Sequence, residues 1–267
     1  MKTRTILLSL LCFVGITTAT AQSDVYYWKD GKAVKLETVD SLTFTAPASG
    51  DSQVDDARAL AEATTEDIGK IIGEDGKIYA TKEAAEAAGI TAVAMIAYVG
   101  NDAETNSTYR HGLALALKDV GHQQWCRQYR ETCLSNQYSS KSDATGDMAG
   151  LANTDALVYH SSHTHDAATA VRKYRYADGV AEGVHPVVTS EWFLPSAGQW
   201  DKMATAAGGY VNLRTSADLQ SLIYWSSSES SEHSDGYAYA WYFDSYNGYW
   251  ASGDNLYGGL VRPCLAF

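Results

Sequence analysis

The chain has 267 residues, 45% of them hydrophobic and 19% charged, which suits one large domain or a medium domain with an appendage and excludes a wholly disordered chain. Its 32 acidic and 20 basic side chains give a formal charge of −12, so phosphate backbones repel it and nucleic-acid partners are disfavoured. Tyrosine is abundant, 18 against 5 phenylalanines, a palette that favours surfaces where a ring keeps one dry face and one wet tip.

The N-terminus reads as an export signal. Lys2 and Arg4 form a positive start, residues 6–16 form an apolar run broken only by Ser9, and Ala19-Thr20-Ala21 supplies small residues for cleavage before Gln22. Removing this leader, residues 1–21, makes the formal charge −14. The run is shorter than the ~20 apolar residues that span a bilayer. No later stretch approaches that length, so no transmembrane segment is expected and the mature chain is expected to be secreted or held at the cell surface. Cys12 lies inside the apolar run behind Leu11, where a lipidated cysteine would follow a small residue, so lipidation is not expected.

Residues 22–46 read as a small β-hairpin segment. Val25-Tyr26-Tyr27-Trp28 is strand-like, Asp30-Gly31 signals a turn, Ala33-Val34-Lys35-Leu36 returns, and Val39-Asp40-Ser41-Leu42-Thr43-Phe44 alternates like a third short strand. Three short strands are marginal alone and need a partner surface. Residues 47–66 read as a linker, polar and small at first, with a short acidic helix in the second half.

The main domain is expected over residues 67–267. Residues 68–72 and Lys77-Ile78-Tyr79 flank the turn Asp75-Gly76 as a second hairpin. Thr81 caps a helix over 83–88 that Gly89 closes. Strands are expected over 91–99 and 112–120, and helices over 125–134, over 165–174 with Thr164 as cap, and over 197–207. Beyond Tyr224 the chain is rich in Gly, Ser and Tyr, with short strand patterns and no helix. Helices first and irregular β last is the outline of an α+β domain.

The mature chain keeps Cys126, Cys133 and Cys264, an odd number, so at least one stays out of any disulfide within the chain. On one continuous helix Cys126 and Cys133 would stand ~10 Å apart, too far to bridge; they pair only if the segment bends. Cys264 sits in an apolar terminus and reads as a small buried residue. His160, His163 and His165 are the sharpest local constellation, with Asp166 as an added carboxylate, but their spacing matches neither a helical nor a finger zinc pattern. They read as a loop closing into a helix, with Ser162 or Thr164 as cap. No metal and no cofactor is expected.

Three segments carry a resemblance. Trp192-Phe193-Leu194-Pro195-Ser196-Ala197-Gly198-Gln199-Trp200, then Tyr224-Trp225-Ser226-Ser227-Ser228-Glu229, then Ala240-Trp241-Tyr242 with the terminal Val261-Arg262-Pro263 resemble exported Bacteroidetes-type proteins with a C-type-lectin-like domain of the Fibrobacter-type major paralogous group. More distantly they are similar to the formylglycine-generating-enzyme fold and to the variable proteins of diversity-generating retroelements. The resemblance covers residues 67–267 and implies an α+β C-type-lectin-like domain with the N-terminal hairpin as appendage; the third strand of that hairpin also looks like the N-terminal piece of such proteins. It does not extend to chemistry. The Glu-Pro-Asn, Gln-Pro-Asp and Trp-Asn-Asp calcium triplets of sugar-binding relatives are absent, and Asp244-Ser245-Tyr246-Asn247-Gly248 is only a loose echo of a calcium loop. The oxidase relatives use a cysteine pair near the C-terminus, where this chain has Cys264 alone. Trp192, Phe193, Trp200 and Trp225 read as core.

No nucleophile motif and no phosphate loop stands out, so the chain is not read as an enzyme. The aromatic tail is the binding candidate. Residues 224–257 hold 11 of the 30 aromatics, set among Ser, Asn, Asp and Gly, a paratope-like mixture. Trp241 and Phe243 are expected inside; Tyr246, Tyr249, Trp250 and Tyr257 are expected on exposed loops. Ser245, Asn247, Ser252, Asp254 and Asn255 complete the candidate face, and with Tyr246, Tyr249 and Tyr257 they match the residue types that such variable proteins diversify. The sequence thus points to an exported, non-catalytic adhesion or ligand-binding protein with an unknown protein or glycan partner. The alternatives are an enzyme of the formylglycine-generating type, or a structural subunit of a surface assembly docked through the hairpin.

Overall fold

A computed structural model describes residues 26–29, 32–35, 57–105, 108–127, 133–160, 164–231, 239–254 and 258–267. The chain divides into two compact units, Met1–Asp51 and Ser52–Phe267. The expected leader, the strand at 39–44 and the first half of the linker lie outside the described residues.

In the first unit, β1 (Tyr26–Lys29) pairs antiparallel with β2 (Lys32–Lys35), Lys29 opposite Lys32, so that the pairing brackets Asp30-Gly31 as the sequence leads one to expect.

The second unit is α+β, built on two sheets. The first runs in the order β14 (Cys264–Ala266), β7 (Gly112–Ala116), β6 (Ala92–Val99), β4 (Ile71–Gly73), β5 (Lys77–Tyr79), β3 (Arg58–Ala59), with every neighbouring pair antiparallel. The last strand of the chain thus closes onto a sheet begun near its start. In β6 nearly every residue is apolar because both faces are covered: Met95 and Ala97 join one core cluster, Val93, Ile96 and Val99 another. The second sheet runs β12 (Tyr249–Asp254), β11 (Tyr239–Asp244), β10 (Ile223–Ser230), β13 (Gly258–Val261), β8 (Gly121–Gln124), with β9 (Gln137–Tyr138) also paired to β10.

Six helices accompany the sheets among the described residues: α1 (Lys82–Ala87), α2 (Lys141–Ala144), α3 (Gly150–Val158), α4 (Asp166–Arg172), α5 (Ala197–Ala206) and α6 (Tyr210–Ser216). Thr81 caps α1 by accepting the Ala84 N–H, and Gly89 follows with φ +74°. Ser196 opens α5 with a full capping box, its side chain on the Gln199 N–H and the Gln199 side chain on the Ser196 N–H. Gly198 is required where α5 meets the chain ahead of α3: a Cβ there would lie 2.3 Å from the Asp147 carbonyl oxygen. Trp192, Phe193, Trp200 and Trp225 are all buried, as expected of core residues. The terminal Arg262 is buried too. Its Nε donates to Asp119 at 2.6 Å and its remaining nitrogens to the carbonyls of Ala116, Ala217 and Asp218, so every nitrogen of the guanidinium has a partner.

Three expectations change. From Ala57 onward the expected linker belongs to the domain: β3 pairs with β5, two 3₁₀ turns replace the acidic helix, and Leu60 and Ala63 are core. Arg58 and Lys70 hold the buried carboxylate of Asp67, which also accepts the Thr64 N–H at 2.7 Å. The helix expected over 125–134 is not formed by residues 125–127 and 133–134, which run irregularly. Finally, α4 begins at Asp166 with His165 at the cap position and no side-chain cap bond, so Thr164 does not cap it.

Candidate functional site

The β11–β12 hairpin carries the expected binding residues. Asp244 pairs with Tyr249 across the strands and leaves Ser245-Tyr246-Asn247-Gly248 as the connection, with Gly248 at φ +71°. The Asp244 carboxylate organises it. One oxygen accepts the backbone N–H groups of Tyr246 and Asn247 at 3.0 and 2.9 Å, the other the Asn247 side-chain amide at 2.8 Å. Burial pushes this carboxyl's pKa up, but the hydrogen bonds from Asn247 and Tyr246 outweigh it and hold the acid below its ordinary range. The loose calcium-loop echo is therefore a turn whose carboxylate is already engaged by its own backbone.

The expected residues divide between core and surface. Tyr246 is 67% and Tyr249 46% exposed, and Asn247 is exposed beside them. Ser252 is half-buried on β12, Asp254 ends that strand, and Asn255 and Tyr257 lie outside the described residues. Trp241 and Phe243 point inward as expected. Two residues are not on an exposed loop. Trp250 is 6% exposed, its ring 5.9 Å from Phe243 and its N–H on the Tyr210 hydroxyl. Ser245 is buried as a brace: its backbone N–H and its hydroxyl both bond the Leu222 carbonyl, and its own carbonyl accepts from Arg214. The sequence reading missed Leu222, an exposed apolar residue that this brace fixes beside the turn. Its only signal was a large aliphatic residue just ahead of the Tyr-Trp-Ser strand.

No family model, curated protein or solved structure matches this chain. Among the described residues no helix is long and apolar enough to cross a membrane.

Two further features bear on chemistry. A cleft of about 720 Å³ lies between the β3–β5 edge and Val187-Val188, with Tyr109, His111 and Phe267 in its wall. The cysteines are placed differently from one another. Cys264 is buried in β14 and bridged to Phe193, and burial pushes its thiol well above the ordinary value, the opposite of a poised nucleophile. Cys126 and Cys133 are brought together in the structure. Both sulfurs and a ring nitrogen of His165 lie within 4.8 Å of one another, all three residues buried. The His160 ring stands edge-on to His165, centroids 5.6 Å apart. His163 lies outside the described residues, and Asp166 is taken by Arg127, Nε to carboxylate 2.7 Å.

Proposed function

We propose that this chain is an exported, non-catalytic binding protein whose C-type-lectin-like domain meets a protein or glycan through the β11–β12 turn and the adjoining strand edge. The observation that carries the reading is the pair of exposed tyrosines, Tyr246 and Tyr249, flanking Asn247 on a turn pre-set by Asp244. Tyrosine offers a large amphipathic contact for two torsions, and a turn already ordered before binding loses little entropy on contact. Ser252 on β12 belongs to the same candidate face, Leu222 adds an apolar rim, and Asp254, Asn255 and Tyr257 remain candidates from the sequence. Export rests on the leader at residues 1–21. The lectin-like reading rests on the three motif segments, whose large aromatics occupy the core.

The test is binding of the mature chain to glycan arrays and to cell surfaces, with Tyr246→Ala and Tyr249→Ala combined. The expected result is a loss of binding of tenfold or more, since a desolvated hot-spot ring is worth ~2 kcal/mol or more, with the melting temperature unchanged. Binding that survives the double substitution places the ligand elsewhere and overturns the reading. Sequencing the neighbouring DNA for a reverse transcriptase and a near-copy of the codons for 245–257 tests whether the face is diversified.

A further inference from the structure

We propose that Cys126, Cys133 and His165 supply three ligands of a structural zinc site. The first observation is the cluster itself, two sulfurs and an imidazole nitrogen mutually within 4.8 Å. Around a tetrahedral zinc, with Zn–S near 2.3 Å and Zn–N near 2.0 Å, ligand atoms lie ~3.3–3.8 Å apart, so a small inward adjustment closes the shell. Soft thiolate with imidazole in a tetrahedral set is zinc chemistry rather than calcium or magnesium chemistry.

The second observation is His165. It is 1% exposed, and among the described residues neither ring nitrogen has a hydrogen-bond partner. A buried imidazole with both nitrogens idle costs desolvation that no described residue returns. Its ring packs edge-on to Trp125, which fixes its plane without satisfying it. A disulfide between Cys126 and Cys133 would leave this histidine as it stands. A zinc ion engages both sulfurs and one ring nitrogen together. Two thiolates, a dication and a neutral imidazole also sum to zero charge, so the ion and its ligands add no net charge among Leu157, Val171, Leu194 and Trp225.

The third observation is how the ligand segments are held. Glu229 of β10, fully buried, accepts the Cys133 N–H with both carboxylate oxygens at 3.0 Å and the Leu134 N–H at 2.7 Å. On the other side, the Arg127 N–H bonds the Thr164 carbonyl and its side chain bonds Asp166, so the residue after Cys126 is tied to both neighbours of His165. These bonds orient the ligand-bearing backbone from outside the shell. The His160 ring stands edge-on to His165, centroids 5.6 Å apart, outside the three-residue cluster. The ion would tie the stretches that carry Cys126 and Cys133 to the start of α4.

The sequence-based expectation of no metal here fails on this proposal because it weighed the three histidines alone, without the cysteines 27 or more positions upstream.

The experiment uses the full mature chain purified under reducing conditions, with zinc measured by mass spectrometry and cobalt as an optical probe. The expected result is close to one zinc per chain. Cobalt should give a thiolate charge-transfer band and tetrahedral d–d absorption. Both signals should be lost in Cys126→Ser and in Cys133→Ser and retained in Cys264→Ser. The wild-type cobalt spectrum stands even if a variant fails to fold. Three results overturn the proposal: a Cys126–Cys133 disulfide in the exported protein by peptide mapping, three titratable thiols with no uptake of zinc or cobalt, or metal binding that survives loss of both cysteines.

Discussion

Trp250 donates its indole N–H to the Tyr210 hydroxyl across 2.9 Å, and that hydroxyl in turn donates to the Asp201 carboxylate. The relay runs from the edge strand β12 through α6 to α5. It makes Trp250 a packing residue, while its neighbour Tyr249 faces solvent. Burial, with Asp201 as acceptor, pushes the Tyr210 pKa up, so the hydroxyl keeps its proton at neutral pH and the relay persists. Trp250→Ala should cost about 3–5 kcal/mol, whereas Tyr246→Ala and Tyr249→Ala should each stay within roughly 0.5 kcal/mol. Urea denaturation of the three variants decides it; equal losses at Tyr249 and Trp250 would contradict the division of this hairpin into a core side and an exposed side.

Arg262 should be among the costliest single residues to remove. Deleting it takes the partner from Asp119 Oδ1 and from the Ala116, Ala217 and Asp218 carbonyls, and breaking a buried pair from one side costs about 3–5 kcal/mol. Lys82 pairs with Glu86 on the exposed face of α1, and Lys82→Ala should change stability by less than about 0.5 kcal/mol. A guanidinium-induced unfolding series on Arg262→Ala and Lys82→Ala should separate the two clearly.

Asp67 gives a pH dependence of defined sign. Burial raises its pKa, but the Thr64 N–H, Lys70, Arg58 and the Thr64 hydroxyl together hold it down at about 2, against an ordinary 3.8. A folded pKa below the unfolded one means that its contribution is present above pH ~4 and is lost as pH falls towards ~2. The shift corresponds to about 2 kcal/mol. Asp67→Asn should lower stability at neutral pH and flatten the profile between pH 4 and 2. An unchanged acid limb in that variant would show that Asp67 carries none of it.

Limited proteolysis should leave a core that starts no later than Ala57. Ala46-Pro47-Ala48-Ser49-Gly50 has the small, polar composition of a nicked linker. Leu60 and Ala63 are buried, and the Ala63 carbonyl is bonded by His111 at 2.9 Å, which withdraws that stretch from a protease. First cleavage inside 58–66, read by N-terminal sequencing of the core, would contradict its integration.

What the sequence determined by itself is local. Asp75-Gly76, Thr81 three residues ahead of Ala84, and Gly89 each act within a few residues, so composition and spacing were enough to place a turn, a helix start and a helix end; the start of α5 at Ala197 was legible too, its Ser196–Gln199 capping box only in the structure. The apolar runs of β6 and β7 were legible for the same reason, as was the absence of helix after Tyr224 among the described residues. The helices α3 and α6 were not, since α3 opens at Gly150 without a side-chain cap and α6 is a short segment packed beneath Trp250 and Phe243. Alternation along β12 says that Tyr249 and Trp250 face opposite ways; only α6 decides which of them is covered. The linker reading failed beyond Ala57 because Leu60 and Ala63 find their core partners in the distant sheet strands. The Cys126, Cys133 and His165 cluster was beyond sequence reasoning as well. Its members are two cysteines outside any described helix or strand and a residue at a helix cap, and Glu229 on one side and the Arg127 bonds on the other hold their backbone. Such convergence depends on where the chain returns in space, which spacing along the chain does not encode.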